Sequence, residues 1–154
     1  MAGNPKKKST GIVNAAIGAL AVVLAILIVW MMNLVAGIQG TARIINYAGL
    51  VRGKTQRIVK LEISGQPQDG MIADIDAFID GLRFGSDELN LVRLNNDAFQ
   101  RKMQELDDYF QALKQEIGRV RAVGSNNTDI IPISEAFFDI CDDATNLAEA
   151  YSQR

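Results

Sequence analysis

The segment FQRKMQELDDYFQALKQEIGRV, residues 99–120, decides the fold class of this chain. Its apolar residues recur alternately every four and every three positions, which places them on one side of an α-helix. This heptad spacing is typical of helices that cross at a shallow angle in a bundle. The apolar positions are Phe99, Met103, Leu106, Phe110, Leu113, Ile117 and Val120. The segment therefore predicts a long amphipathic helix packed in a helical bundle.

Helical spacing also appears on both sides of this segment, whereas the alternation typical of β-strands does not. One helix is predicted at about 40–64 and another at about 69–84, with Gly85 placed to end the second. A last helix is predicted to begin near Ser134 and Glu135, residue types that suit a helix N-terminus. Four helices with short connections predict an all-α, antiparallel up-down-up-down bundle.

A long apolar run precedes the bundle. No residue from Ser9 to Ala42 is charged, and the run exceeds the roughly 20 residues that a helix needs to cross a bilayer. The lysines at 6–8 before the run predict a cytoplasmic N-terminus. We therefore expect a membrane protein that contacts the lipid bilayer. Its predicted parts are a cytoplasmic N-terminus at 1–10, a transmembrane helix at 11–38 and an extracytoplasmic four-helix bundle at 40–154.

A cleaved signal peptide is the alternative to an anchor, since Val35-Ala36-Gly37 resembles a cleavage site. The apolar part of a signal peptide has about 7–15 residues, however, and this run is much longer. Either way, the bundle leaves the cytoplasm. An up-down bundle returns its C-terminus to the membrane side, where a second crossing would be expected. We therefore expect the chain to be the front part of a longer protein or a truncated form of one.

Composition excludes several classes of function. Thirteen of the 16 Lys and Arg and all 18 Asp and Glu follow the apolar run, so this part has a net charge of −5. An acidic domain of this kind does not favour nucleic-acid binding. The absence of His excludes His-ligated metals and His general bases. With no nucleotide-binding loop or catalytic triad either, we expect no enzyme activity, no catalytic residues, no cofactor and no metal site.

Three other features have structural interpretations. Cys141 is the sole cysteine and falls inside a predicted helix, which favours a small buried side chain over a reactive thiol. The acidic pairs Asp107-Asp108 and Asp142-Asp143 suggest divalent cations at first sight. Neighbouring residues of a helix diverge by about 100°, however, so solvated helix faces are favoured.

The stretch INYAGLVRGKTQRIVK, residues 45–60, carries four basic residues and no acid. If it is helical, one face holds residues that advance by three or four positions, and these are Asn46, Gly49, Gly53, Gln56 and Lys60. The two glycines each lower helix stability by about 1 kcal/mol relative to Ala. Their usual benefit is the close approach of another backbone or of a ligand.

The arginines of this stretch permit two interpretations. Arg52 and Arg57 lie about 140° apart around a helix, so one helix does not direct both to a single site. Two copies side by side would bring Arg52 and its symmetry mate to one small anion, which planar guanidinium groups match well. Alternatively, the basic side chains pair with acids of neighbouring helices or contact lipid head groups, the latter especially for Arg43.

The same stretch resembles a motif of nitrate/nitrite-sensing histidine kinases and of type IV pilus-type methyl-accepting transducers, approximately I-N-x-A-G-x-x-R-M-x-S-x-R. The matching residues are Ile45, Asn46, Ala48, Gly49, Arg52 and Arg57, with Gln56, Ile58 and Lys60 matching the pilus-type form. A similar run also looks familiar from extracellular sensor regions of bacterial kinases and diguanylate cyclases. The chain departs from the motif at Gly53, where the families have Met, and at Thr55, where they have Ser. Gln56 replaces the Tyr of the nitrate branch.

The resemblance implies a homodimeric extracytoplasmic sensor in the cell membrane, with a kinase or cyclase output domain on the longer receptor. It also implies that Arg52 holds an anion across the dimer axis beside Gly49. Asn46, Gly53, Gln56 and Arg57 complete the expected ligand-binding set. Because Gly53 removes a side chain from the pocket wall, the expected ligand is a small anion or solute, and nitrate is not singled out. A membrane-tethered scaffold without a small ligand remains the alternative.

Overall fold

The computed structural model describes residues 6–152, with the side chains of 6–10 and of residue 38 left out. Its four α-helices are α1 (Lys6–Ile63), α2 (Asp69–Phe84), α3 (Asp97–Val123) and α4 (Ile130–Ser152), and a short 3-10 helix covers Ser125–Asn127. The described residues form no strand beyond one isolated bridge, between Ser86 and Leu91. The predicted all-α fold is therefore confirmed. Residues 1–5 of the predicted cytoplasmic segment and the last two residues of the predicted bundle lie outside the described residues.

The chain divides into two compact units, Met1–Ile38 and Gln39–Arg154. In the first, the large apolar side chains from Ile12 to Val35 are 44–71% exposed. An 18-residue window there has a mean hydropathy of 2.8, and none of that window is buried. The amide of Asn33 donates to the Val29 carbonyl at 2.8 Å, so this polar group is satisfied within its own helix. By length and composition, the helix is able to cross a membrane.

The second unit is a helical bundle around one apolar core. All seven heptad residues of 99–120 are buried, as their spacing predicted. Phe110 of α3 packs against Phe137 of α4, with ring centroids 5.7 Å apart. Two ion pairs, Lys114–Asp76 and Arg83–Asp107, show that α2 and α3 run in opposite directions. Burial of these rings and aliphatic groups is the main source of stability, at about 1.5–3 kcal/mol for each side chain.

Glycines end two of the helices, α2 at Gly85 and α3 at Gly124. The sequence predicted this role for Gly85. Gly85 has φ of 89° and Gly124 has φ of 81°. A left-handed backbone of this kind is strained for residues with a Cβ atom. The amide of each glycine donates to the carbonyl four residues before it, at 2.9 Å, which closes the last turn.

Helix α4 begins at Ile130, about one turn before Ser134 and Glu135, the residues expected near its start. Glu116 of α3 provides the reason, since its carboxylate accepts the Asp129 amide at 2.9 Å and holds the first turn. Pro132 fits that turn because the first amides of a helix lack helical partners. Ser134 is buried within the helix, and its hydroxyl donates to the Ile131 carbonyl at 2.8 Å.

The turn between α1 and α2 is held to α3 by a buried carboxylate. The Glu62 side chain is 1% exposed. Its carboxylate accepts hydrogen bonds from Arg121 Nε at 2.9 Å, from Arg121 Nη2 at 2.6 Å and from the backbone N–H of Gln68 at 2.8 Å. Arg121 also contacts Asp69 at 2.8 Å. Hydrogen bonds to Glu62 first, and then to Asp69, raise the pKa of Arg121 above its ordinary value, so the guanidinium stays charged.

Backbone separation differs among the helices of the bundle. Helices α3 and α4 have the most extensive backbone contact, and α2 and α3 follow. The α1 backbone makes few close contacts with the other helices, although Val51 and Ile58 are fully buried. Helix α1 is therefore packed in this unit mainly through its side chains.

Candidate functional site

Residues 45–60 form a helical segment of α1 with one buried and one exposed side. Val51, Thr55 and Ile58 are fully buried. The opposite side is exposed, and we call it the α1 face: Asn46, Gly49, Gly53, Gln56 and Arg57, with Lys60 at its end. The residues expected from the sequence to share one side do so, and Arg57 joins them.

The two glycines leave the middle of the α1 face open. A Cβ atom placed on Gly49 or on Gly53 meets no atom within 4 Å, so neither glycine is required by packing inside the unit. Neither has a positive φ. Since Gly lowers helix stability by about 1 kcal/mol relative to Ala, both positions carry an unfavourable residue that the fold of one copy does not need.

Arg52 lies beside the α1 face and pairs with a carboxylate of α4. Its Nε is 2.8 Å from Oδ1 of Asp142, and the two side chains are 40% and 54% exposed. Pairs as exposed as this contribute only about 0–1 kcal/mol, since water screens both charges. Within the described residues Arg52 Nε is buried and makes no hydrogen bond, so the contact with Asp142 is ionic only, while the side chain as a whole stays partly accessible from solvent.

The other basic residues of the stretch behave differently from one another. Lys54 pairs with Asp74 of α2 at 2.7 Å and lies 5.0 Å from the centroid of the Phe78 ring. Arg57 is exposed and makes no ion pair within residues 6–152. Pairing with neighbouring acids, one of the two interpretations of the sequence, thus applies to Arg52 and Lys54. The structure does not direct Arg52 and Arg57 to one site within a single copy.

Beneath this ion pair lies Cys141, which is fully buried. Burial first, and then the charge of Asp142, raises the pKa of the thiol to about 12, while Arg52 acts in the opposite direction. The thiol is protonated at neutral pH and therefore a poor nucleophile. Its predicted role as a small buried apolar side chain is confirmed.

Thr55 occupies the position at which the motif has Ser, and the structure places it in the core. It is fully buried, and its Oγ1 has no hydrogen-bond partner. A buried hydroxyl without a partner lowers stability by about 1–3 kcal/mol. Thr55 therefore lies on the buried side of α1, away from the exposed α1 face.

Three of the four acids in the two acidic pairs form ion pairs with neighbouring helices. Asp107 pairs with Arg83, Asp142 with Arg52, and Asp143 with Lys102 at 3.2 Å. No group of three or more metal-ligating side chains occurs among the residues that the structure describes. Asp142 and Asp143 lie on exposed helix faces, as expected, whereas the side chain of Asp107 is only 20% exposed. Sequence reasoning missed Asp142 as the partner of Arg52, because no spacing within one helix reports on pairing between two.

The arrangement has the chemistry of an anion site that is open on one side. A guanidinium offers planar donors that match oxyanions, and the amides of Asn46 and Gln56 add neutral donors. On one copy these groups face water, where each contact with a small anion is weak. A second α1 face against the first would exclude that water and supply a second Arg52.

Comparisons with known proteins identify a structural neighbour but no family. No protein-family model matches the chain, and no curated protein matches its sequence. Among solved structures, the ligand-binding domain of the P. aeruginosa nitrate receptor McpN is similar, with a TM-score of 0.63 and 18% sequence identity. The match covers 71% of this chain and 96% of that one. At this identity the likeness shows a shared fold.

Proposed function

We propose that this chain is the input module of a membrane-bound receptor, in which a small anion or solute binds between the α1 faces of two copies. The observation that carries the proposal is the α1 face itself, where two glycines leave open backbone beside an accessible arginine. The fold of a receptor's ligand-binding domain in the structural neighbour supports it. In this proposal, residues 11–38 cross the membrane, 1–10 are cytoplasmic and 40–154 are extracytoplasmic.

The proposed residues have distinct roles. Arg52 of each copy holds the anion across the dimer axis, and Gly49 and Gly53 allow the two helices to approach closely. Asn46, Gln56 and Arg57 line the same face and complete the proposed ligand-binding set. Because helix α1 also contains the apolar run, a shift of the α1 face moves the segment proposed to cross the membrane. A ligand drives that shift only by binding one arrangement more tightly than the other.

The experiment is thermal unfolding of the full chain in bilayer nanodiscs against a panel of small anions that includes nitrate, nitrite and formate. A specific anion at one hundred times its dissociation constant stabilises the folded state by about 2.7 kcal/mol. Arg52→Ala should abolish that shift. Arg101→Ala is the matched control, since it removes an exposed arginine of α3 away from the α1 face and should leave the shift unchanged. An equal shift in wild type and Arg52→Ala would refute the role of Arg52.

A second function, a membrane-tethered interaction module without a small ligand, is favoured by the pairing of Arg52 with Asp142. In that case Gly49 and Gly53 serve only helix packing. A chain that dimerises, loses its dimer on Gly49→Leu and responds to no anion would support this second function against the first.

A further inference from the structure

A cleft opens where the turn between α1 and α2 meets the end of α3. Its volume is about 270 Å³, many times the roughly 30 Å³ that one water molecule occupies in the liquid. Glu62, Ile63 and Pro67 line it from the α1–α2 turn, and Val120 and Arg121 line it from the end of α3. None of its lining residues belongs to the α1 face. The cleft therefore has room for a small molecule at a place separate from the candidate site described above.

A cluster of three charged residues lies at the cleft. The Glu62 side chain is 1% exposed, and both of its oxygens accept hydrogen bonds from Arg121. Arg121 also contacts Asp69 at 2.8 Å, and the side chain of Asp69 is 78% exposed. Because two carboxylates share one guanidinium, the cluster has a net charge of −1. Lys60, the basic residue in the last turn of α1, is exposed and does not line the cleft.

The ends of two helices add to this negative charge, since α1 ends at Ile63 and α3 at Val123. The C-terminus of a helix carries a partial charge of about −0.5, because its last carbonyls lack helical partners. The Ile63 carbonyl has no amide to accept four residues further on, where the chain has Pro67. Neither this carbonyl nor that of Arg121 accepts a hydrogen bond from any residue that the structure describes. The cleft thus combines negative charge with carbonyls that are able to accept further hydrogen bonds.

This chemistry favours a cation that carries N–H donors. An anion that approaches Arg121 would also meet the net negative cluster and the two helix ends. A divalent metal ion would need oxygens from several acids, but both oxygens of Glu62 already accept from Arg121. Moreover, no group of three metal-ligating side chains occurs in the part of the chain that the structure describes. Ile63, Pro67 and Val120 provide apolar lining for a short hydrocarbon chain.

We infer that this cleft is a second ligand site, one that binds a primary ammonium compound with a short aliphatic part. The ammonium group donates to the free carbonyls at the two helix ends and is attracted by Glu62 and Asp69. The hydrocarbon part contacts the apolar lining. Because the cleft lies between the end of α1 and the end of α3, the bound compound links these two helices and stabilises the folded bundle. The site lies within one copy, so it needs neither a dimer nor the anion proposed for the α1 face.

The test is ligand-observed NMR on the full chain in phosphatidylcholine nanodiscs, with butylammonium as the probe. Saturation transferred from protein to probe is corrected for the transfer that empty nanodiscs give. The corrected signal should saturate with a dissociation constant in the millimolar range, as is usual for so small a ligand. Butyrate, which has the same chain length and the opposite charge, should give no saturable transfer.

Two pairs of variants locate the bound probe. Asp69→Asn should raise the dissociation constant about fivefold, because it removes one negative charge beside the cleft. Asp74→Asn is its control, since Asp74 pairs with Lys54 instead, and it should leave the constant unchanged. Ile63→Lys should abolish binding, because it places an ammonium group of the chain at the cleft, whereas Ile63→Leu should retain binding. Ile63 is 37% exposed at the end of α1, so neither variant alters the buried core.

Saturable transfer to butyrate as strong as that to butylammonium, or none to butylammonium, would overturn the inference. So would equal dissociation constants for Asp69→Asn and Asp74→Asn, or undiminished binding by Ile63→Lys. Arg52→Ala should leave butylammonium binding unchanged, because Arg52 does not line the cleft. Failure of the anion site on the α1 face and failure of the ammonium site are therefore distinguishable.

Discussion

Replacing Asp142 with Asn should strengthen anion binding at Arg52. In the structure, Asp142 Oδ1 lies 2.8 Å from Arg52 Nε, so an anion that binds this guanidinium competes with a carboxylate already present. The pair is 40% and 54% exposed, which limits its contribution to about 0.2–1 kcal/mol. Since 1.4 kcal/mol corresponds to a tenfold change in affinity, Asp142→Asn should lower the dissociation constant up to about fivefold.

Asp143→Asn is the control for this prediction. It removes the same charge one residue away, where Asp143 pairs with Lys102 at 3.2 Å and is 61% exposed. Calorimetric titration of both variants, with the anion that stabilises wild type most, measures the two dissociation constants directly. Without anion, Asp142→Asn should lose no more than about 1 kcal/mol of stability. If Asp142→Asn binds the anion no more tightly than Asp143→Asn does, the anion does not occupy Arg52.

Three further predictions concern the bundle itself. Glu62→Ala should lower the free energy of unfolding, measured in urea, by about 2–4 kcal/mol. The substitution leaves the backbone N–H of Gln68 without its acceptor and removes the buried partner of Arg121. A variant as stable as wild type would refute this prediction. Gly85→Ala should destabilise by about 1–2 kcal/mol at its φ of 89°, whereas Gly118→Ala, with nothing within 4 Å, should stabilise by up to about 1 kcal/mol. Cys141 should make stability depend on pH: its folded pKa of about 12 exceeds that of an unfolded thiol, about 8.5. Its contribution is thus complete below about pH 8.5, and stability relative to Cys141→Ala should fall by roughly 1.4 kcal/mol per pH unit from about 9 to 12. A pH-independent difference between these two proteins would contradict the burial of the thiol.

The features that the sequence predicted correctly depend on apolar burial within one helix. The heptad positions of α3, the bounds of α2 and the end of α2 at Gly85 follow from spacing and from one backbone conformation. Burial contributes more free energy than any single polar contact here, so the apolar pattern determines which face of each helix is inside.

The features that it missed depend on contacts between helices. The start of α4 was placed late because Glu116, on another helix, holds the Asp129 amide. The partner of Arg52 was missed because the position of α4 along α1 determines which acidic residue lies next to Arg52. The exposed α1 face could be derived from helical geometry, whereas a partner for that face is not encoded in any local pattern.

The sparse backbone contact of α1 with the other helices has a consequence for the order in which the bundle opens. The α3–α4 hairpin combines close backbones, the Phe110–Phe137 contact and the hold of Glu116 on α4, all between segments near in sequence. Such a hairpin should behave as one cooperative unit whose amides exchange with deuterium only on global unfolding. The α1 amides from Ile44 to Ile58 should exchange earlier, through sub-global openings that leave the hairpin folded. Helix α1 would then be free to change its position on a faster timescale than the hairpin that supports it.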